Sequence, residues 1–146
     1  MPPRRKTRAA LASEAKHYEI YRRVPGMECK GLCQEYCGPV PVSKRERTRI
    51  QRAAGRKVIV DENAACPYLS EEGACTVYKL RPLMCRLWGI AEGIRCPHGC
   101  VPERPVSRQE ALQMATELGI ENSSLLAELR GDAIAGYEAK LRRRRG

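Results

Sequence analysis

The hydrophobic and polar positions of the chain predict helices towards both of its ends. Residues 9–23 are rich in Ala, Leu, Glu, Lys and Tyr and contain no helix breaker before Pro25 and Gly26, which predicts an N-terminal helix. Towards the other end, apolar residues recur every three or four positions and form one stripe: Leu126, Leu129, Ala133, Tyr137 and Leu141. This spacing predicts an amphipathic helix in the last part of the chain.

Two Ser-x-x-Glu sequences predict where further helices begin. In such a capping box, the Ser side chain and the Glu side chain each accept a hydrogen bond from the other residue's backbone N–H. Ser107 and Glu110 predict a helix that ends near Gly119. With the apolar stripe that follows, this segment predicts a C-terminal helical hairpin packed on the rest of the chain, with a helix that binds a partner as the alternative.

The second capping box, Ser43 and Glu46, predicts a helix that ends at Gly55. Its buried side can be formed only by the few apolar residues of the segment, Ile50, Ala53 and Ala54.

The composition indicates that packing alone does not hold this fold. The chain has 146 residues, no Phe, one Trp and 5% aromatic residues, whereas large apolar side chains supply most of the free energy of burial, about 25 cal/mol per Å². Eight Cys are the candidates for additional stabilisation. We therefore predict a small metal-organised domain, mostly helical with loops and at most a minor β element formed by residues 58–60 and 76–78.

We divide the chain into three parts by composition. Residues 1–8 carry four basic residues and predict a disordered basic arm. Residues 9–106 hold the N-terminal helix and every cysteine, and predict a cysteine-cluster metal-binding domain. Residues 107–146 contain no cysteine and predict a helical C-terminal extension with a basic tail.

The cysteines are the candidate metal ligands, because the expected cellular compartment favours metal binding over disulfide formation. No apolar run approaches the length of a membrane span, and the basic N-terminus lacks the apolar region of a signal peptide, so we expect a cytoplasmic protein, in which thiols stay reduced. No C-x2-C pair is present, which argues against zinc ribbons and thioredoxin-like dithiols. The eight candidates are Cys29, Cys33, Cys37, Cys66, Cys75, Cys85, Cys96 and Cys100.

Thiolates favour zinc, iron–sulfur clusters and Cu(I) over hard cations. Eight thiolates can form two zinc sites of four cysteines each, one iron–sulfur cluster with thiols left over, or a multinuclear zinc cluster, and the sequence leaves zinc or an iron–sulfur cluster unresolved. His98 is a further candidate ligand, although its Pro- and Gly-containing turn favours a surface imidazole, and His17 is distant from every cysteine. Arg81 and Arg86 flank Cys85, either as hydrogen-bond donors to sulfur or as ordinary surface arginines.

A stretch of twenty-one residues, from Cys66-Pro67 through Cys75 to Arg81-Pro82 and Cys85-Arg86, resembles the YkgJ-type cysteine-cluster family of zinc- or iron-chelating domains. Cys29, Cys33 and Cys37 fall where that family has its C-x2-C-x2-C-C signature, and the resemblance covers roughly residues 27–100. In this chain, three residues instead of two separate Cys29 from Cys33 and Cys33 from Cys37. Gly38 stands where the family has the second cysteine of the doublet. The resemblance implies metal chelation by the cysteines. A similar cysteine-rich domain in flagellin lysine methylases goes with an iron–sulfur cluster.

The charge predicts a second candidate function, nucleic-acid binding around a structural metal site. The net charge is +10, and basic residues concentrate in the N-terminal arm, in residues 44–57 and in the tail 140–145. Solvated charge is the alternative, since aromatic residues are not interleaved with the basic ones. No phosphate-binding loop, metalloprotease motif or nucleophile elbow is present, so the sequence favours a binding protein over an enzyme without deciding the question, and we assign no catalytic residue.

Overall fold

The computed structural model describes residues 3–30, 37, 40–55 and 65–120. In these ranges the chain forms four α-helices and one 3₁₀ turn, joined by loops. The helices are α1 (Arg8–Arg23), α2 (Lys44–Ala54), α3 (Leu83–Leu87) and α4 (Arg108–Glu117), and the 3₁₀ turn (Tyr78–Leu80) lies between α2 and α3. The prediction of a small, mostly helical domain is confirmed.

The helices begin at hydroxyl caps, as the sequence predicted for α2 and α4. Ser43 and Glu46 form the complete capping box of α2, and Gly55 ends the helix with φ +70°, a conformation that suits glycine. At α4 the Ser107 side chain accepts from the backbone N–H of Glu110. The Glu110 carboxylate instead pairs with Arg104, 2.9 Å away.

The N-terminal helix extends one residue further than predicted. It begins at Arg8, because the Thr7 hydroxyl accepts a hydrogen bond from the backbone N–H of Ala10. Lys6 reaches forward to Glu14, with 2.7 Å between the ammonium and a carboxylate oxygen. Residues 3–6 form neither helix nor strand.

The core lies where α1, α3 and α4 meet. It is made of apolar side chains from these helices and from the loop after α3, including Ile20, Leu83, Met84, Leu87, Ile90, Ala91, Ile94, Val106, Ala111, Met114, Ala115 and Leu118. The short helix α3, which carries Cys85, contacts α4 directly. The first part of the C-terminal segment is therefore built into the core.

Two features of the predicted packing differ in the structure. Ala53 was expected on the buried side of α2 but is exposed, whereas the carboxylate residue Glu46 is fully buried there. The minor β element was predicted to include residues 76–78, but Tyr78 begins the 3₁₀ turn, which takes the chain out of extended conformation.

Isolated antiparallel and parallel bridges take the place of a sheet in the described residues. The other predicted strand, 58–60, and the second helix of the predicted C-terminal hairpin, 126–141, lie outside the described residues. None of the helices in the described part of the chain is both long enough and apolar enough to cross a membrane.

Candidate metal centre

A buried carboxylate fixes the position of the helix that carries Cys85. The Glu46 side chain is 0% exposed, and one of its oxygens accepts a hydrogen bond of 2.7 Å from the backbone N–H of Leu83, the first residue of α3. The same oxygen accepts from the Tyr21 hydroxyl, and the other accepts from the backbone N–H of Ser43. Helices α1 and α2 thus hold the start of α3 two residues before Cys85.

The loop between α2 and α3 brings two further cysteines together. The backbone N–H of Thr76 bonds the carbonyl of Tyr68 at 2.9 Å, and Leu69 and Cys75 form an antiparallel bridge. The chain turns back on itself between them at Gly73, whose φ of +83° favours glycine. This turn returns Cys75 towards Cys66.

Cys37 joins these residues through the backbone. The N–H of Cys66 donates to the carbonyl of Cys37 at 3.2 Å, so the end of the first cysteine triplet lies beside the start of the second. We call Cys37, Cys66, Cys75 and Cys85 the first thiol group. All four residues are half-buried.

The Cys85 thiol is buried, and the other thiols of the group disfavour its ionisation. Burial raises the pKa of the Cys85 thiol to about 12, and the thiols of Cys66, Cys37 and Cys75 contribute to the rise in that order. Burial also raises the pKa of Cys66, with a contribution from Cys75. A set of thiols that oppose each other's ionisation is one that a cation would stabilise as thiolates.

Arg81 and Arg86 were predicted either to donate hydrogen bonds to sulfur or to be ordinary surface arginines. Arg81 donates to the Tyr78 carbonyl, and its guanidinium lies 3.9 Å from the Tyr78 ring centroid. Arg86 donates to the carbonyls of Arg81 and Lys79 and stacks on Tyr21 at 4.2 Å. These bonds brace the 3₁₀ turn before α3. Arg81 is nevertheless close enough to Cys85 to lower the pKa of its thiol.

The segments that carry Cys29 and Cys100 are joined through their backbones. Met27 and Pro102 form an antiparallel bridge, and the N–H of Glu103 bonds the carbonyl of Gly26 at 2.9 Å. Cys29 follows Met27 by two residues and Cys100 precedes Pro102 by two, so the bridge brings the segments that carry these two cysteines together. The Lys30 ammonium also bonds the His98 carbonyl at 3.3 Å, which joins the same two segments.

Cys96 lies on the loop that follows α3. Its backbone N–H donates to the Gly89 carbonyl at 3.2 Å, just after α3. Its Sγ atom accepts from the backbone N–H of His98 at 3.4 Å. We call Cys29, Cys96 and Cys100 the second thiol group. Cys33, the eighth candidate ligand, lies outside the described residues.

The two histidines differ in their surroundings. His17 is 5% exposed, and its ring nitrogens bond the Ser13 carbonyl and the Ser43 hydroxyl, so it joins α1 to the cap of α2. That placement agrees with its predicted distance from the cysteines. His98 was expected to be a surface imidazole, but the residue is half-buried and its Nε2 atom is buried, because the 96–100 turn folds against the segment that carries Cys29.

The donor chemistry of both groups fits a soft metal, since each consists of thiols. Within the described residues, no three Cys, His, Asp or Glu side chains stand close enough to hold one ion between them. The backbone therefore brings the segments that carry the thiols together, and coordination of one ion by several thiols requires their side chains to move closer to one another.

Sequence reasoning did not identify Glu46 and Tyr21 as residues that position the site. Glu46 was recognised as half of a capping box, a position that is usually solvated. The scarcity of apolar residues in α2 was the available signal, because it left no apolar side chain to fill the space beneath the first turn of the helix.

The arrangement is that of a small helical domain in which the short helix α3 carries Cys85 and loops carry the other described cysteines. The chain belongs to the family named CxxCxxCC, described as "Putative zinc- or iron-chelating domain", whose family model matches residues 28–101. That match includes all eight cysteines and agrees with the resemblance stated from the sequence. No curated protein and no solved structure matches the chain.

Proposed function

We propose that the protein binds zinc or an iron–sulfur cluster through its cysteine thiolates, and that the two thiol groups are separate sites. The observation that carries the proposal is the convergence of Cys37, Cys66, Cys75 and Cys85, which come from three separate segments of the chain. Four thiols meet the usual requirement of a structural zinc ion or of a cubane cluster. Membership of a zinc- or iron-chelating family supports the same chemistry.

In the first site, Cys85 would be the anchor. Its helix is fixed by the Glu46 carboxylate, whereas Cys37, Cys66 and Cys75 lie on loops that can adjust. In the second site, Cys29, Cys96 and Cys100 would be joined by Cys33, which follows Cys29 by four residues. Zinc would supply a structural cross-link between the loops, and an iron–sulfur cluster would add one-electron redox chemistry.

Paired substitutions test whether the sites are separate. Cys66→Ser with Cys85→Ser removes half of the first group, and Cys96→Ser with Cys100→Ser removes two ligands of the second. The proposal predicts that each double variant, purified without oxygen, loses about half of the metal and retains the rest. His17→Gln is the control, since His17 is buried and its ring nitrogens bond Ser13 and Ser43 rather than a cysteine.

Loss of all metal from either double variant would contradict two separate sites, and would instead indicate one cluster shared by both groups. Unchanged metal in both double variants would contradict ligation by these cysteines altogether. Circular dichroism of each variant separates loss of a ligand from loss of the fold.

A further inference from the structure

The outer face of α2 is cationic because its one acidic residue points inwards. Glu46 is fully buried and accepts three hydrogen bonds, so the exposed surface of α2 carries no carboxylate of its own. Lys44, Arg47 and Arg52 are exposed, and Thr48 is exposed between them. Residues 44, 47 and 48 lie three and four positions apart, and Arg52 follows Thr48 by four, so they share one side of the helix. We call Lys44, Arg47, Thr48 and Arg52 the basic face.

The other two arginines of α2 connect this face to α1. Arg45 donates to the Ser13 hydroxyl and the Ala10 carbonyl, at 2.7 and 2.6 Å. Arg49 donates to the Tyr21 hydroxyl at 2.8 Å. These bonds fix the two helices against each other, so the basic face is a rigid surface, unlike a charged tail.

The fold also places an aromatic ring at the edge of the basic face. The Arg49 guanidinium lies 5.8 Å from the ring centroid of Tyr18, which is 48% exposed. Arg49 precedes Arg52 of the basic face by one helical turn, so Tyr18 contacts α2 on the side next to that face. The sequence showed no interleaving of aromatic and basic residues, and the pairing arises only because α1 and α2 pack together.

We propose that the basic face and Tyr18 bind single-stranded nucleic acid, with phosphates on Lys44, Arg47 and Arg52 and a base stacked on the Tyr18 ring. Cationic side chains in a row can each contact a phosphate of a flexible phosphodiester backbone. An exposed aromatic ring provides a surface on which an unpaired base can stack. The basic face itself carries no large apolar side chain, which distinguishes it from a helix that inserts into a lipid surface. This proposal does not depend on the metal or on the thiol groups.

The test measures binding of a fluorescein-labelled 20-nucleotide oligouridine to the full chain by fluorescence anisotropy across salt concentrations. The variant Lys44→Gln, Arg47→Gln, Arg52→Gln removes the cations of the basic face. Its charge-matched control is Arg4→Gln, Arg5→Gln, Lys79→Gln, three exposed residues outside α2 and away from the thiol groups. Loss of three phosphate contacts should weaken binding at least tenfold and make the slope of log K against log salt shallower by about two. The control should change binding less than threefold.

A second pair of variants tests the stacking. Tyr18→Ala should weaken binding about tenfold and Tyr18→Phe should retain it, because the ring alone is needed. A duplex of matched length should bind more weakly than the single strand.

Equal loss in both triple variants would overturn the proposal, since net charge alone would then explain binding. If the duplex bound as tightly as the single strand and Tyr18→Ala bound as tightly as the wild type, the proposal that the ligand is single-stranded would be overturned. Displacement of the oligonucleotide by polyglutamate at equal charge concentration would show that any polyanion fits, and would also overturn it.

Discussion

The Glu46 carboxylate accepts a hydrogen bond from the backbone N–H of Leu83 at 2.7 Å, although the two residues lie far apart in the sequence. This bond joins the first turn of α2 to the first residue of α3. Because α3 carries Cys85 and has only five residues, its position depends on contacts with its neighbours rather than on its own helical stability. The bond therefore connects the helical core to the candidate metal centre.

Replacing Glu46 tests that connection. Glu46→Gln keeps the size of the side chain but removes the charge and turns one acceptor oxygen into a donor that faces the Leu83 N–H, the Tyr21 hydroxyl or the Ser43 N–H. Hydrogen bonds to charged groups contribute about 1.5–3 kcal/mol each, so we expect the free energy of unfolding to fall by about 2–3 kcal/mol in urea denaturation.

Glu110→Gln is the matched control, because Glu110 occupies the same position three residues after a capping Ser. Its carboxylate lies at the surface and pairs with Arg104, and such pairs contribute at most about 1 kcal/mol. Equal destabilisation by the two variants would show that the buried position of Glu46 has no special role.

The Tyr21 hydroxyl predicts a pH dependence of stability. Burial, together with the Glu46 carboxylate, raises the pKa of the Tyr21 phenol above its ordinary value near 10. The folded protein therefore holds this proton more tightly than the unfolded chain, so the stabilisation is complete below about pH 10 and is lost as the pH rises further.

Tyr21→Phe isolates this contribution. The difference in unfolding free energy between the wild type and Tyr21→Phe should be constant from about pH 7 to 9 and shrink between about pH 10 and 11. A difference for Tyr21→Phe that stays constant throughout this range would rule out a proton held in the Tyr21–Glu46 bond.

Removal of the metal should destabilise the loops more than the helical core. The core residues of α1, α3 and α4 pack without involving the loop cysteines, whereas Cys37, Cys66 and Cys75 lie on segments with few helical hydrogen bonds. Site formation and folding are coupled in small metal domains, so we expect a chelator, with reductant present, to lower the thermal midpoint by roughly 10 °C or more. Part of the helical circular dichroism should persist at room temperature. Identical melts with and without chelator would exclude a structural metal.

The contribution of His98 can be compared with that of Cys85. We expect Cys85→Ser to lower the metal content more than His98→Ala, because Cys85 is placed by a fixed helix at the centre of the first thiol group. Metal content of the two proteins after identical purification gives the answer. An equal loss in His98→Ala would make His98 a ligand of the second group.

The parts of the structure that depend on local sequence were predictable, and those that depend on long-range contacts were not. The starts of α2 and α4 followed from Ser43 and Ser107, since a hydroxyl cap acts within one helical turn. The inward position of Glu46 was not predictable, because it results from donors on α1 and α3 that meet only in the fold. For the same reason the spacing of the cysteines did not show that Cys37 lies beside Cys66.

Elemental analysis of the protein purified without oxygen tests metal binding most directly. Zinc, iron and acid-labile sulfide are measured per chain, together with the number of thiols that react with a thiol reagent. We expect either about two zinc ions per chain, or iron with a matching amount of sulfide, and in both cases thiols protected until a chelator is added. Trace metal with all eight thiols reacting at once would contradict metal binding by the cysteines.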